Sequence, residues 1–356
     1  MKAATHSSLE SSEIGHLVIP MSSTELTALA GALAAAAALS AAGIRAIHPL
    51  LIRYALARPN ARSSHKVPTP QGAGIAVIAV TLLVAGIAIA WLTAVTATLW
   101  ILLAATVVIA VVGAIDDLRP LPVAPRFALQ ALCVAAALAA LPGELQILPA
   151  LPLWLERAVL VVGVLWFVNL TNFMDGLDWI TVAEVVPVTA TLALMSLAGA
   201  ISLPTALIAA ALCGAMLGFA PYNKPVAKIF LGDVGSLPIG LLIAWCLLQL
   251  AFAGHLAAAI LLPLYYLCDA TVTLLRRMAR REPFWLAHRS HFYQRATDNG
   301  FSVIGVVRSV FALNVILAAL AGLSIHLGSA PASIGLLIVG TGATALLLRQ
   351  LSKPRG

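Results

Sequence analysis

Charge is what this sequence has least of. Only 10% of its 356 residues are Asp, Glu, Lys or Arg, and aromatic residues contribute 6%. A soluble domain carries about a quarter charged residues, so composition alone argues against a water-facing globule. Cysteine is scarce too: Cys133, Cys213, Cys246 and Cys268 fall inside apolar runs without CxxC spacing. They read as small buried hydrophobes, and neither zinc nor a disulfide framework is implied. No period of about 20–50 residues repeats, which argues against a solenoid. Residues 1–23 are polar and Ser-rich and lack the basic stretch followed by a short apolar core that marks a signal peptide. They read as a polar N-terminal tail, with Met21 as a second candidate start.

What is present is hydrocarbon: 61% of the residues are hydrophobic. Apolar stretches of roughly 17–25 residues are long enough to span a bilayer as helices. Eleven are expected, at about 25–47, 72–93, 97–115, 126–141, 157–171, 180–199, 203–220, 235–253, 256–275, 303–326 and 331–348. The fold class is therefore an all-α integral membrane protein, a polytopic bundle of about eleven transmembrane helices. One transmembrane domain is expected over 24–348, followed by a tail at 349–356.

A net charge of +7 first suggests nucleic acid, but in a membrane protein the distribution of Lys and Arg matters more. Nearly every cation falls in the loops 48–71, 116–125, 172–179, 221–234 and 276–302 or near the C-terminus, while Lys2 and Arg157 lie on the opposite side. The positive-inside rule makes the cation-rich side cytoplasmic, with the N-terminus outside and the C-terminus inside. Asp116, Asp117, Asp175, Asp178, Asp233 and Asp269 sort to that same face. The expected active face is thus cytoplasmic, and no nucleic-acid partner is implied.

Five polar loops lie there. "SHKVPTPQGAG" (64–74) holds Lys66, which reads either as a phosphate partner or as an interfacial cation fixing a helix end. "AIDDLRP" pairs Asp116 with Asp117; neighbours on a helix point about 100° apart, so one could bind a metal while the other faces a reacting group. A solvated helix end is the alternative, less comfortable for two like charges at a membrane boundary. "NLTNFMDGLDW" spaces Asn169, Asn172, Asp175 and Asp178 three apart, and Gly176 is expected to break the helix and open backbone to a ligand. Amides and carboxylates there suit a base, a sugar or a diphosphate-bound metal; an interhelical polar clamp is the plainer reading. The "NLT" glycosylation sequon is discarded because it lies at the cytoplasmic boundary. "NKPVAKIFLGDVGS" sets Asp233 between glycines before a helix start, where free N–H groups favour anions. Finally, "RRMARREPFWLAHRSHFYQRATDNG" carries His288, Arg289, His291 and Arg295. Its arginines favour binding of a diphosphate or lipid phosphate over metal ligation, and general attraction to anionic membrane lipids accounts for part of its charge. Asp269, within its span, is either functional or paired with these arginines.

In this order, the five stretches resemble the polyprenyl-phosphate N-acetylhexosamine-1-phosphate transferases. That family, glycosyltransferase family 4, includes the phospho-MurNAc-pentapeptide translocase. The resemblance covers roughly residues 45–300 and is closer to the branch that initiates O-antigen or other surface polysaccharides. Trp179 stands where the family commonly has a second Gly, Gln71 where a basic residue is common, and Ala73 where Gly is common. Tyr293 and Gln294 take later His positions.

The resemblance implies transfer of a sugar 1-phosphate from UDP-N-acetylhexosamine to undecaprenyl phosphate in a bacterial inner membrane, with Mg²⁺ as cofactor and Mn²⁺ a candidate substitute. It implies Asp233 as principal metal ligand with Asp117 assisting, and Asp116 acting on the lipid phosphate. Asn172 and Asp175, with Asn169 and Asp178, would hold the nucleotide-sugar. His291, with His288, Arg289, Arg295 and Lys66, would bind phosphate. Trp179 becomes a candidate for setting which sugar fits, and a homodimer is a candidate assembly. Phospho-MurNAc-pentapeptide transfer is the closest alternative. A transporter is disfavoured because its sites usually sit near the midplane between repeats, and a catalytically dead scaffold because the aspartates are retained.

Overall fold

A computed structural model describes residues 22–57, 68–283 and 288–355. Lys66 and nearly all of the polar N-terminal tail lie outside the described residues. With no water in a bilayer to satisfy backbone groups, apolar segments must close their hydrogen bonds internally, and the chain does so as helices. Among the described residues eight are long and apolar enough to cross a membrane. They are α1 (Ser23–Tyr54), α2 (Gly74–Leu92), α3 (Ala97–Leu118), α5 (Leu153–Phe173), α6 (Ile180–Met195, continued by a 3-10 turn), α8 (Asp233–Phe252), α12 (Val303–Leu327) and α13 (Ala330–Leu351). Two shorter apolar helices, α4 (Val123–Ala139) and α7 (Leu203–Phe219), join them. The protein is a multi-pass, all-α membrane protein.

Some expected boundaries move. The span at 256–275 is broken into α9 (Leu256–Leu261) and α10 (Leu264–Ala279). Pro263 lies at the break; its missing N–H and its ring cannot continue a helix. The first helix runs past the expected end at 47 to Tyr54, and α13 runs into the expected tail as far as Leu351. Local sequence starts several helices. Ser22 and Glu25 form a reciprocal capping box on α1, with Ser22 N–H donating to Glu25 Oε2 at 2.8 Å. Thr96 and Ser302 cap α3 and α12.

The centre of the bundle is α7 and α8. In α8, 89% of the most apolar window is buried, against 22% in the peripheral α13. Polar ties cross the apolar interior: Asn314 Nδ2 on α12 donates to Glu184 Oε2 on α6 at 2.6 Å. At the end of the bundle opposite the aspartates, Glu156 accepts from Ile147 N and Leu148 N, and Arg157 donates to Pro142 and Leu145 carbonyls. Two charges that face away from the site are thereby engaged in holding a connector. At the other end, a two-residue pair, β1 (Leu56–Ala57) and β2 (Thr69–Pro70), leads into hydrogen bonds from Gly72 N and Ala73 N to Phe230 O and from Gly74 N to Leu231 O. The first polar loop is thus zipped to the Gly-Asp loop, far away in sequence.

Candidate active site

Three helix ends converge on Asp233, the first residue of α8. Asp117, in the last turn of α3, accepts from Asp233 N at 2.9 Å and Val234 N at 3.0 Å, and Gln71 Nε2 also donates to it. The start of α8 offers backbone donors with no intrahelical partner, and a carboxylate from another helix satisfies two of them. Asn172, near the end of α5, donates to Asp233 Oδ1 at 2.7 Å and to Ser236 Oγ at 2.9 Å. Glycine makes the approach feasible at two points. Gly113 of α3 lies so close to the Asp233 backbone that a Cβ would collide with it, and Gly232 has φ +81°, the left-handed region.

Asp116 points elsewhere. It accepts from Leu121 N at 2.6 Å and from the Arg126 guanidinium, whose Nη1 also lies 3.7 Å from Asp233 Oδ2. The adjacent carboxylates therefore do separate in direction, one bracing the α8 start and the other holding a cation beside Asp233. Among the described residues no three His, Cys, Asp or Glu side chains form a ready metal cage. Mg²⁺ is usually held by one or two carboxylates plus substrate phosphates. That suits Asp233, whose Oδ1 accepts from Asn172 and whose Oδ2 stands 3.7 Å from the Arg126 guanidinium.

The Asn-Asp stretch divides in two. Asn172 reaches the Asp233 cluster. Asn169, one turn earlier and buried, donates to Gln130 Oε1 on α4 at 2.9 Å and to Leu165 O at 2.8 Å, as an interhelical clamp does. Asp175, in the turn after α5, accepts from Thr181 Oγ1. Burial pushes its carboxyl up from the ordinary value, the Thr181 bond partly opposes this, and the charges of Asp117 and Asp178 add to the rise. Asp178 accepts from Ala227 N at 3.0 Å. Trp179 has φ +64° and is locked by its N–H on Asn223 Oδ1 at 2.8 Å and its indole N–H on Ala220 O at 2.6 Å. Its indole N–H is committed to backbone. The turn at Gly176 is not left open: a Cβ there would strike the Tyr293 hydroxyl.

That hydroxyl belongs to α11 (Phe292–Asp298), and it donates to Phe173 O at the end of α5. The start of α11 is held by buried Asp269 of α10, which accepts from Phe292 N at 3.0 Å and Tyr293 N at 3.2 Å and meets His291 Nδ1 at 3.2 Å. The ring so engaged through Nδ1 is nearly enclosed, His291 being 3% exposed. His291 stacks on His288, ring centroids 5.0 Å apart. Arg289 bonds Thr297 and pairs with Asp298 at 3.3 Å, while Arg295 is exposed. The basic loop is thus docked against the aspartate turn through Tyr293 and Asp269.

Sequence reasoning singled out neither Arg126 nor Ser236 for a role in the site, and treated Gln71 and Tyr293 only as departures from a pattern. Arg126 falls one turn into the helix that follows the Asp-Asp pair, which is the available signal for a cation folding back on it. For Ser236 the signal is its place one turn after Asp233 in the Gly-Asp-x-Gly-Ser stretch.

The sequence profile of glycosyl transferase family 4 matches residues 99–251, the segment that contains Asp116, Asp117, Asn172, Asp175 and Asp233. Among similar proteins, a probable undecaprenyl-phosphate N-acetylglucosaminyl 1-phosphate transferase of Bacillus subtilis is 29% identical over 177 residues, covering 46% of this chain and 48% of that one. A phospho-N-acetylmuramoyl-pentapeptide-transferase of Limosilactobacillus reuteri is also 29% identical over 177 residues, 46% of this chain and 54% of its own. A decaprenyl-phosphate N-acetylglucosaminephosphotransferase of Mycobacterium tuberculosis is 30% identical over 210 residues, 51% of this chain and 52% of its own. The chain spans about half the length of these relatives. Its central region, with the aspartate cluster, is thus similar to glycosyl transferase family 4.

Proposed function

We propose that this protein transfers N-acetylhexosamine 1-phosphate from a UDP-sugar to undecaprenyl phosphate at the cytoplasmic face of a bacterial inner membrane, as a first membrane step of surface-polysaccharide synthesis. The observation that carries this reading is the junction of Asp117, Asp233 and Asn172 from three helices, with Asp116 and Arg126 beside it. Further support comes from relatives named for sugar-phosphate transfer to polyprenyl phosphates.

In the proposed reaction an oxygen of the lipid phosphate forms a bond to the phosphorus that bears the sugar. The bond from that phosphorus to the bridging oxygen breaks, and UMP leaves with that oxygen and its electron pair. Such a transfer needs chiefly positioning and charge neutralisation. Asp233 would hold Mg²⁺, which when bound supplies positive charge to the diphosphate. Asp117 fixes Asp233 through its backbone N–H, and Asn172 fixes its carboxylate. Asp116 aims Arg126 toward the same point, where a guanidinium suits a lipid phosphate. Asp175 and Asn172 would line the nucleotide-sugar side, and Arg295, with His291 buried a turn before it, would complete the anion-binding rim.

The test is incubation of the purified protein with undecaprenyl phosphate, Mg²⁺ and, separately, UDP-N-acetylglucosamine, UDP-N-acetylgalactosamine and UDP-MurNAc-pentapeptide. UMP and a lipid-diphosphate-sugar of matching mass are expected from an N-acetylhexosamine donor. Product from the pentapeptide donor alone would move the protein to the peptidoglycan reaction, and no UMP from any donor would refute the assignment.

A further inference from the structure

A second group of cations lies outside the candidate site, where α12 begins and α13 ends. The two helices open there on a cavity of about 690 Å³. Gly305 and Ser309 of α12 line one side, and Arg349, Gln350, Lys353 and Arg355 the other. No acidic residue is part of the lining. Among the described residues, Arg349, Lys353 and Arg355 are exposed and none of them makes an ion pair with a carboxylate.

The cavity is built rather than a loose tail. Arg355 N donates to Asn299 O at 2.8 Å, Asn299 Nδ2 donates to Leu351 O at 2.8 Å, and the Arg355 guanidinium lies 5.3 Å above the Phe301 ring. The chain after α13 is thereby folded back across the start of α12. Just beyond the cations, α13 turns apolar, with Leu346 of the cavity wall 68% exposed. A cationic mouth over an exposed apolar wall, at the ends of two helices of membrane-spanning length, matches a molecule with an anionic head and hydrocarbon tails. We propose that this cavity binds the phosphate headgroup of an anionic membrane phospholipid, with Arg349, Lys353 and Arg355 as its charge partners and Leu346 against its acyl chains. Basic pockets between the ends of membrane helices are suited to such headgroups.

The location gives the site a consequence. Asn299, tied to Arg355 and Leu351, ends α11, whose other end carries Tyr293 against Gly176. A lipid that orders the C-terminal segment therefore steadies the helix that closes the aspartate turn. This inference is independent of the proposed transfer reaction, because its readout is lipid retention and not turnover.

The experiment uses the full chain purified in mild detergent and titrated with phosphatidylglycerol or phosphatidylcholine, bound lipid being counted by native mass spectrometry. Saturable binding of phosphatidylglycerol over phosphatidylcholine is expected. Each cation near a headgroup contributes roughly fivefold in affinity, so Arg349→Gln/Lys353→Gln/Arg355→Gln together should weaken it about a hundredfold. Arg53→Gln/Arg119→Gln/Arg280→Gln, equal in charge and made at exposed positions elsewhere, should leave it within about twofold of wild type. If the triple variant fails to fold, Arg349→Gln and Lys353→Gln singly should each show the roughly fivefold loss. Equal losses in the two triple variants would mean diffuse surface attraction and would overturn the proposal. So would unchanged binding in the pocket variants, or displacement of the lipid by millimolar inorganic phosphate.

Discussion

A single methyl group added at Gly232 should uncouple the site from the fold that carries it. In Gly232→Ala the new Cβ would lie 2.5 Å from Asp117 Oδ2 and 3.1 Å from Gln71 Cγ, at a backbone φ of +81°. With ψ at 169° this backbone region is essentially reserved for glycine and costs an L-residue roughly 1–3 kcal/mol. The collision itself would be cheap if Asp117 could swing aside, but its oxygens accept from Asp233 N and Val234 N. Each such bond to a charged acceptor is worth about 1.5–3 kcal/mol. Losing one of them and adopting the strained backbone together cost roughly 2.5–6 kcal/mol. At 1.4 kcal/mol per factor of ten, the arrangement with Asp233 in place should fall by a factor of about a hundred or more. The assay is UMP release from the preferred UDP-sugar, read beside thermal unfolding in detergent. Gly86→Ala is the control, since a Cβ there meets nothing within 4 Å and no positive φ is involved. The variant should still insert and should lose about a hundredfold in turnover. Wild-type turnover in Gly232→Ala would refute the claim that Asp117 acts by bracing the α8 start.

Burial holds the Asp175 carboxyl above its ordinary value of 3.8, so its neutral form is favoured by folding. Its contribution to stability is therefore lost as pH rises from that ordinary value through the folded one. If the ionised form serves the nucleotide-sugar, kcat/KM should rise with pH through an inflection above the usual carboxylate range. Asp175→Asn should abolish that limb, and an unchanged profile would remove Asp175 from the binding step. Asp269→Asn leaves one of Phe292 N and Tyr293 N without its acceptor; a loss of roughly 1.5–3 kcal/mol should appear as faster amide exchange across α11, and unchanged exchange would deny Asp269 the docking role. Chelation of divalent ions should stop UMP release and Mg²⁺ should restore it; a full rate in chelator would exclude a metal at Asp233.

The helices were legible in the sequence because a bilayer allows a spanning chain few other solutions, so long apolar runs map directly onto them. The break before α10 was less visible, since Pro263 sits in an unbroken apolar run while Pro187 and Pro238 lie inside continuous helices. Proline identity alone does not decide between a break and a tolerated irregularity; the packing of neighbouring helices does. The polar loops were legible as a set, but their pairings were not. Asn169 and Asn172 are three residues apart, yet one faces Gln130 of α4 and the other Asp233 of α8. Adjacent Asp116 and Asp117, a roughly 100° step apart on the helix, likewise reach different elements. Which neighbour stands where is a property of the packed bundle.

Trp179 shows how far such a pairing changes a residue's meaning. By sequence it stands in a place where glycine is common, and so is a candidate for setting which sugar fits. Its φ of +64° explains why glycine would suit that position. A tryptophan there bears about 1–2 kcal/mol of backbone strain. Its two hydrogen bonds, to Asn223 Oδ1 and Ala220 O, return about 0.5–1.5 kcal/mol each, so the strain is roughly offset. Asn223 in turn donates to Ile229 O, in the stretch that leads to Asp233. The tryptophan therefore ties the turn bearing Asp175 to the loop bearing Asp233. With its indole N–H already bonded, what it sets in the structure is the spacing between those two aspartates.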